Sequence, residues 1–200
     1  MNADFIYDLR SSVKLKEMKT ALLVSILFFC FIISAKAQTA IQKVDFRNFT
    51  YELSCGDADE ISPLTVKNGE YRGKKESIAD KVYLKIYDVK FGDLNNDEKD
   101  EVIVLYACSS GASYVYFRGL IFTMKNHKPI LLTELKGGNK GDGGFHDVKI
   151  VRNQLFVERY QLPTAGSPCC PAFIETAKYK LKDKKLIQVG RKTSRKIPSS

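Results

Sequence analysis

Val102-Ile103-Val104-Leu105-Tyr106-Ala107-Cys108 is nearly all apolar. A strand with one face in water alternates apolar and polar side chains, so an unbroken run of this length fits a central strand buried on both faces. The ten residues before it, Gly92 to Glu101, are the opposite in character, with Asp93, Asn95, Asn96, Asp97, Glu98, Asp100 and Glu101 among them. The chain passes from an acid-rich corner straight into what reads as the centre of the fold.

The rest of the sequence has the rhythm of strands. Val44–Leu53 and Val82–Phe91 mix β-branched and aromatic residues, and Tyr114–Met124 and Ile130–Leu135 flank the turn Lys125-Asn126-His127-Lys128-Pro129. Asn68-Gly69 is a hairpin signal. Val148–Val151 and Leu155–Glu158 bracket a short turn at Arg152-Asn153-Gln154. Phe173–Leu181 alternates, with Ala177, Tyr179 and Leu181 on one side and Lys178 and Lys180 on the other, before Asp183-Lys184 turns into Leu186–Val189. Only Glu76–Lys81 suggests a turn or two of helix. Short strands with frequent turn signals specify a mainly β fold, a single antiparallel sheet or sandwich of about eight strands. No internal repeat or linker divides the chain.

The first 37 residues read as a processing signal. Lys14, Lys16 and Lys19 precede the uncharged apolar stretch Ala21–Ser34, and Ala35-Lys36-Ala37 has the small-x-small form of a cleavage site, making Gln38 the expected mature N-terminus. Met18-Lys19 is a second plausible start. The apolar stretch is short for a spanning helix, and no later segment is longer, so no membrane span is expected in the mature chain. The expected organisation is a leader over 1–37, one β-rich domain over 38–190 and a basic flexible tail over 191–200, in a secreted or periplasmic protein.

The chain of 200 residues carries a net charge of +9, and the leader holds five basic and three acidic residues, so the mature part stays basic. The excess gathers late, from Lys178 to Lys196. Such a run is most often a solvated strand face, but it also attracts polyanions. An exported protein meets little nucleic acid, and no aromatic stacking platform accompanies the run. An anionic glycan or an envelope protein is therefore the expected partner.

Without Cys30 of the leader, four cysteines remain: Cys55, Cys108, Cys169 and Cys170. An even number in an exported chain reads as disulfides. Of the three pairings, the one bonding adjacent Cys169 and Cys170 closes a small strained ring and ranks last. The other two tie Cys55 and Cys108 separately to Cys169-Cys170-Pro171.

In the acidic stretch, Asp93, Asn95 and Asp97 occupy alternate positions, Lys99 offers a backbone carbonyl at the seventh, and Glu101 is ninth. This resembles calcium loops of the FG-GAP and VCBS type, which run Asp-x-Asn-x-Asp-Gly-x-x-Asp/Glu into a strand. The resemblance implies a structural Ca²⁺ at those five residues, in the affinity range of extracellular modules, about 10⁻⁴–10⁻³ M. Glu98 stands where the pattern has glycine, at a position whose backbone geometry a glutamate adopts at some cost. Val104 stands where an EF-hand has its bidentate glutamate, so the loop is not an EF-hand. Without an ion, the same residues make an Asx-rich turn whose carboxylates accept backbone N–H groups. Acidic loop, strand, small-residue loop, Gly-rich segment and Cys169-Cys170-Pro171, in that order, also resemble the LppP/LprE-type bacterial envelope proteins. That resemblance implies export and carries no agreed activity.

Two loops are candidate ligand contacts: Ser109–Ser113, with Ser110 and Ser113, and the Gly-rich segment Gly137–Asp147, with Asp142, Gly143, Gly144 and His146. Glycine lets a backbone approach a ligand or a neighbouring strand. His146 beside Asp142 and Asp147 is the arrangement of a general base with an orienting carboxylate. No Gly-x-Ser-x-Gly elbow or Walker loop accompanies it. The expected function is a non-catalytic, disulfide-stapled binding or structural module of the bacterial envelope. The rivals are a small secreted hydrolase using His146 and an inhibitor of a secreted enzyme.

Overall fold

The computed structural model describes residues 40–55, 62–73, 82–109, 115–139, 143–161 and 171–198. The leader, the helix expected at Glu76–Lys81, and Ser110, Ser113, Asp142, Cys169 and Cys170 lie outside them. The fold is mainly β and antiparallel, with twelve strands among the described residues: β1 (Thr50–Leu53), β2 (Ser62–Thr65), β3 (Glu70–Arg72), β4 (Tyr83–Gly92), β5 (Glu101–Ser109), β6 (Tyr116–Lys125), β7 (Lys128–Asn139), β8 (Phe145–Val151), β9 (Gln154–Gln161), β10 (Phe173–Lys182), β11 (Lys185–Gln188) and β12 (Thr193–Lys196).

Strands β3-β4-β5-β6-β7 form one five-stranded sheet in that order, with β5 at its centre. A second sheet runs β11-β10-β9-β8, with β12 also on β10, and β1-β2 is a separate hairpin pair. Residues Val102 to Tyr106 of β5 are at most 2 % exposed, as a central strand buried on both faces must be. Its even-numbered side chains, Val102, Val104, Tyr106 and Cys108, join Leu84, Ile86, Leu120 and Phe122 in a core closed by Ile41, Phe46, Tyr51, Leu53 and Leu64 from the β1-β2 side. Ile103 and Leu105 enter a second core with Ile121 and Leu135, closed by Val148, Leu155, Val157 and Leu181 of the second sheet. The central sheet is covered on both sides.

Turn chemistry fixes much of the register. Asn68-Gly69, Asn126-His127, Arg152-Asn153 and Asp183-Lys184 all have positive φ at both residues, the geometry whose twist matches antiparallel strands. Only Thr50–Leu53 of the expected Val44–Leu53 strand is extended. A short 3₁₀ turn covers Ala40–Lys43. The Asp45 carboxylate then accepts the Arg47 N–H at 3.0 Å and the Asn48 side-chain amide at 2.7 Å, holding a turn where the apolar pattern suggested a strand. At the other end, Thr193–Lys196, expected in the tail, hydrogen-bonds along Phe173–Thr176 as β12.

The disulfide differs from the expected pairing. Cys55 bonds Cys108, with Cα atoms 5.7 Å apart, so neither is tied to Cys169-Cys170. The topology gives the reason. Leu53 and Cys108 face the same core, so the chain leaving β1 passes over the last buried position of β5. The bridge spans a sequence separation of 53. A loop of that size corresponds to about 4 kcal/mol in the chain-entropy model.

Candidate functional site

Two groups of polar side chains stand out, one at each end of β8. The first is the acidic corner between β4 and β5. Asp93 accepts the N–H groups of Asn95 (3.1 Å) and Asn96 (2.6 Å) on Oδ1 and that of Glu98 (3.1 Å) on Oδ2. Asn95 Oδ1 accepts from Asp97 N–H at 2.9 Å, and Asp97 Oδ1 from Lys99 N–H at 3.0 Å. These are successive Asx turns, in which short side chains satisfy donors that a loop would otherwise leave to water.

Glu101 closes the corner from below. It is fully buried, alone among the charged side chains of the described residues. Its carboxylate accepts Leu94 N–H at 2.8 Å, the Asn95 side-chain amide at 3.1 Å and the Thr123 hydroxyl at 3.2 Å. Burial pushes its pKa above the usual carboxylate range. The bonds from Leu94 and Thr123 pull the other way, while Asp97 and Asp93 add to the rise. Asn153, in the β8-β9 turn, donates to the Asp93 carbonyl at 3.2 Å and ties the corner to the second sheet.

The donors of the corner are engaged with one another in this structure. Ca²⁺ takes six to eight oxygens converging at about 2.3–2.6 Å. Here both Glu101 oxygens and both Asp93 oxygens already accept hydrogen bonds, and among the described residues no three acidic, His or Cys side chains are grouped to hold a metal. The glycine-like geometry of the sixth position is nevertheless present, with Glu98 at φ 65° and Asn96 at φ 67°.

The second group surrounds His146, in a bulge of β8 where the register with β9 shifts between Phe145 and Asp147. His146 Nδ1 lies 2.9 Å from Glu158 Oε2, and its ring meets Tyr160 edge-on at 5.1 Å. The orienting carboxylate is thus Glu158 of β9. Of the two expected partners, Asp147 points elsewhere, to Lys149 at 3.4 Å and Lys90 at 3.8 Å, and Asp142 lies outside the described residues. Glu158 also meets Arg195 of β12 at 3.1 Å and Thr176 of β10 at 3.5 Å. Counting back from the Arg152-Asn153 turn places Glu158 opposite Asp147, so the hairpin held the signal. The bulge that swings His146 onto that carboxylate has none.

Gly143 and Gly144 gather near the same aromatic, but for packing reasons. A Cβ on Gly143 would come within 2.6 Å of the Tyr160 Cβ, and one on Gly144 within 2.7 Å of the Phe117 ring. Gly144 also accepts Tyr160 N–H at 3.1 Å. These glycines let two aromatic side chains close over the backbone. Chemically, the His146 group is an imidazole–carboxylate pair whose carboxylate is shared with a guanidinium. The Cys108 thiol is consumed by its disulfide. The acidic corner is tied to the turn after β8 through Asn153, at the opposite end of that strand from His146, so the two groups are not one site.

No protein family, curated protein or solved structure matches this chain.

Replacing Glu98 with glycine should raise stability by about 0.5–1 kcal/mol, measured by urea unfolding, because a left-handed backbone costs a glutamate and not a glycine. Glu101→Ala should cost about 1–3 kcal/mol, the penalty for leaving the buried Leu94 donor unmatched. The pKa of Glu101 is raised in the folded state, so its contribution is fully present below its unfolded value of about 4.5 and is lost as pH rises through the folded value. Glu101→Gln should flatten that slope in unfolding measured from pH 4 upward.

Proposed function

We propose that this chain is an exported, disulfide-stapled, non-catalytic β module that binds a partner in, or braces, the bacterial envelope. The Cys55–Cys108 pair carries the reading. Such a bond persists in oxidising compartments and is rare in a reducing cytosol. The leader-like segment before Gln38 and the order of features shared with LppP/LprE-type proteins support the same compartment. Among the described residues no helix is long and apolar enough to cross a membrane.

The acidic corner serves this module as a joint that runs on its own hydrogen bonds. A loop binding Ca²⁺ at about 10⁻⁴ M would gain about 2.7 kcal/mol at a hundredfold excess, which a thermal melt resolves easily. The expected melt is unchanged by about 10 mM calcium. A rise of several degrees would restore the calcium reading.

One observation favours the hydrolase alternative, the 2.9 Å contact between His146 and Glu158. A base held by a carboxylate needs a nucleophile within reach. Ser110 and Ser113 of the small-residue loop lie outside the described residues.

Non-reducing peptide mapping of the chain recovered from cell fractions tests the proposal. The expected result is a chain beginning at Gln38, outside the cytoplasm, with the Cys55 and Cys108 peptides joined. Recovery in the cytoplasm with both thiols free would overturn it. Turnover of any ester, amide or glycoside substrate that disappears in His146→Ala would overturn its non-catalytic part.

A further inference from the structure

From Ala177 onward, strand β10 alternates buried and exposed side chains. Ala177 is buried and Leu181 enters the core between the sheets, with Tyr179 packed against it, while Lys178, Lys180 and Lys182 are exposed. Alternate residues of a strand are about 6.8 Å apart, so the three lysines form a straight file about 14 Å long. The hairpin extends it: Lys184 sits in the turn, and Lys185 of β11 lies directly opposite Lys182. At the other end, the Lys178 ammonium lies 5.1 Å from the centre of the Phe156 ring on β9.

None of these five lysines has a carboxylate within ion-pair distance among the described residues. Three other cations on or beside the sheet are paired: Lys149 with Asp147, Lys192 with Glu175 and Arg195 with Glu158. Asp183, in the turn, is the one acid in the strip from Lys178 to Lys185. Like charges directly opposite across strands are destabilising, so the Lys182–Lys185 pairing works against the sheet. Lysines often protect edge strands from unwanted pairing. That accounts for Lys185 on β11. It does not account for Lys178 and Lys180, because β10 has β9 on one side and β11 and β12 on the other.

We propose that this lysine file is the binding surface of the module for a linear, carboxylate-bearing polysaccharide. The inference rests on the exported reading for its choice of partner and on charge complementarity for its place. A straight row of unpaired cations matches a chain with regularly spaced acids. Ile187, 48 % exposed opposite Lys180, is the one large exposed apolar side chain in the file, too little to anchor in lipid. Phe156 is covered by Lys178, so no ring is presented for stacking on bases.

Binding of the purified chain to polygalacturonate, followed by titration calorimetry at low and raised salt, tests this. Neutral dextran, phosphatidylglycerol vesicles and single-stranded DNA are the comparison arms. Polygalacturonate should bind, dextran should not, and raised salt should weaken binding. The triple variant K178Q/K180Q/K182Q should lose about tenfold in affinity, the scale of three exposed ion pairs, with an unchanged or higher melting temperature. K149Q, which removes a paired lysine, should stay within about twofold. The proposal is overturned if the triple variant binds polygalacturonate as the parent does, or if vesicles or DNA bind more tightly than the polymer. Because the purified chain is used, failure here leaves the export result standing, and the reverse also holds.

Discussion

The burial of β5 on both faces sets the terms for the rest of the molecule. Its backbone groups are taken by β4 on one side and β6 on the other, so its side chains can go only above or below the sheet. Val102, Val104 and Tyr106 need a cover of one kind, and Ile103 and Leu105 need another. Fully burying such a side chain is worth about 1.5–3 kcal/mol, so neither face can be left to water in a domain of ordinary stability. The β1-β2 hairpin with the 3₁₀ turn answers the first demand, and the second sheet answers the other. Each cover is too small to hold a core of its own. Both exist because the middle strand is apolar throughout.

The two ends of that strand are fixed by different chemistry. Cys108 bonds Cys55 and fastens the hairpin cover over the far end. Glu101 fixes the near end through three donors, from Leu94, Asn95 and Thr123, which lie on the incoming corner and on β6. A buried charge without partners is expensive, and three aimed donors offset that cost without removing it, so burial still dominates its titration. The corner is therefore specified from inside by a carboxylate. The Asx turns above it mainly shape the path of the backbone between Leu94 and Asp100.

What could be read in advance follows from the range of each interaction. The run from Val102 to Cys108 announces a doubly buried strand because its signal is local. The alternation at Ala177, Lys178, Tyr179 and Lys180 is local too, and both hold in the fold. Asn68-Gly69 marked its hairpin for the same reason. The disulfide did not follow, because elimination on ring strain ignores which cysteines face a common core. Asp147 looked like the partner of His146 because it is adjacent in sequence. The carboxylate that meets His146 lies across the hairpin on β9, and the β8 bulge brings the ring to it. Twelve strands among the described residues, rather than about eight, emerge because pieces such as Ser62–Thr65 and Thr193–Lys196 are extended only by pairing with another segment.

Pairing also organises the charge of the second sheet. The outer edge of β10 is divided: Phe173–Thr176 pairs with β12 and Tyr179–Lys182 with β11. In the first half, Glu175 and the neighbouring Glu158 meet Lys192 and Arg195. In the second half, β11 brings Lys185 to Lys182 and no acid to either. The same strand therefore carries an end with ion pairs and an end whose lysines have none among the described residues. Local balance would have needed only one carboxylate on β11, at Ile187 or Lys185. An exposed isoleucine and a lysine occupy those positions instead, so the imbalance is built into the hairpin that completes the sheet and would be relieved by an anion from outside.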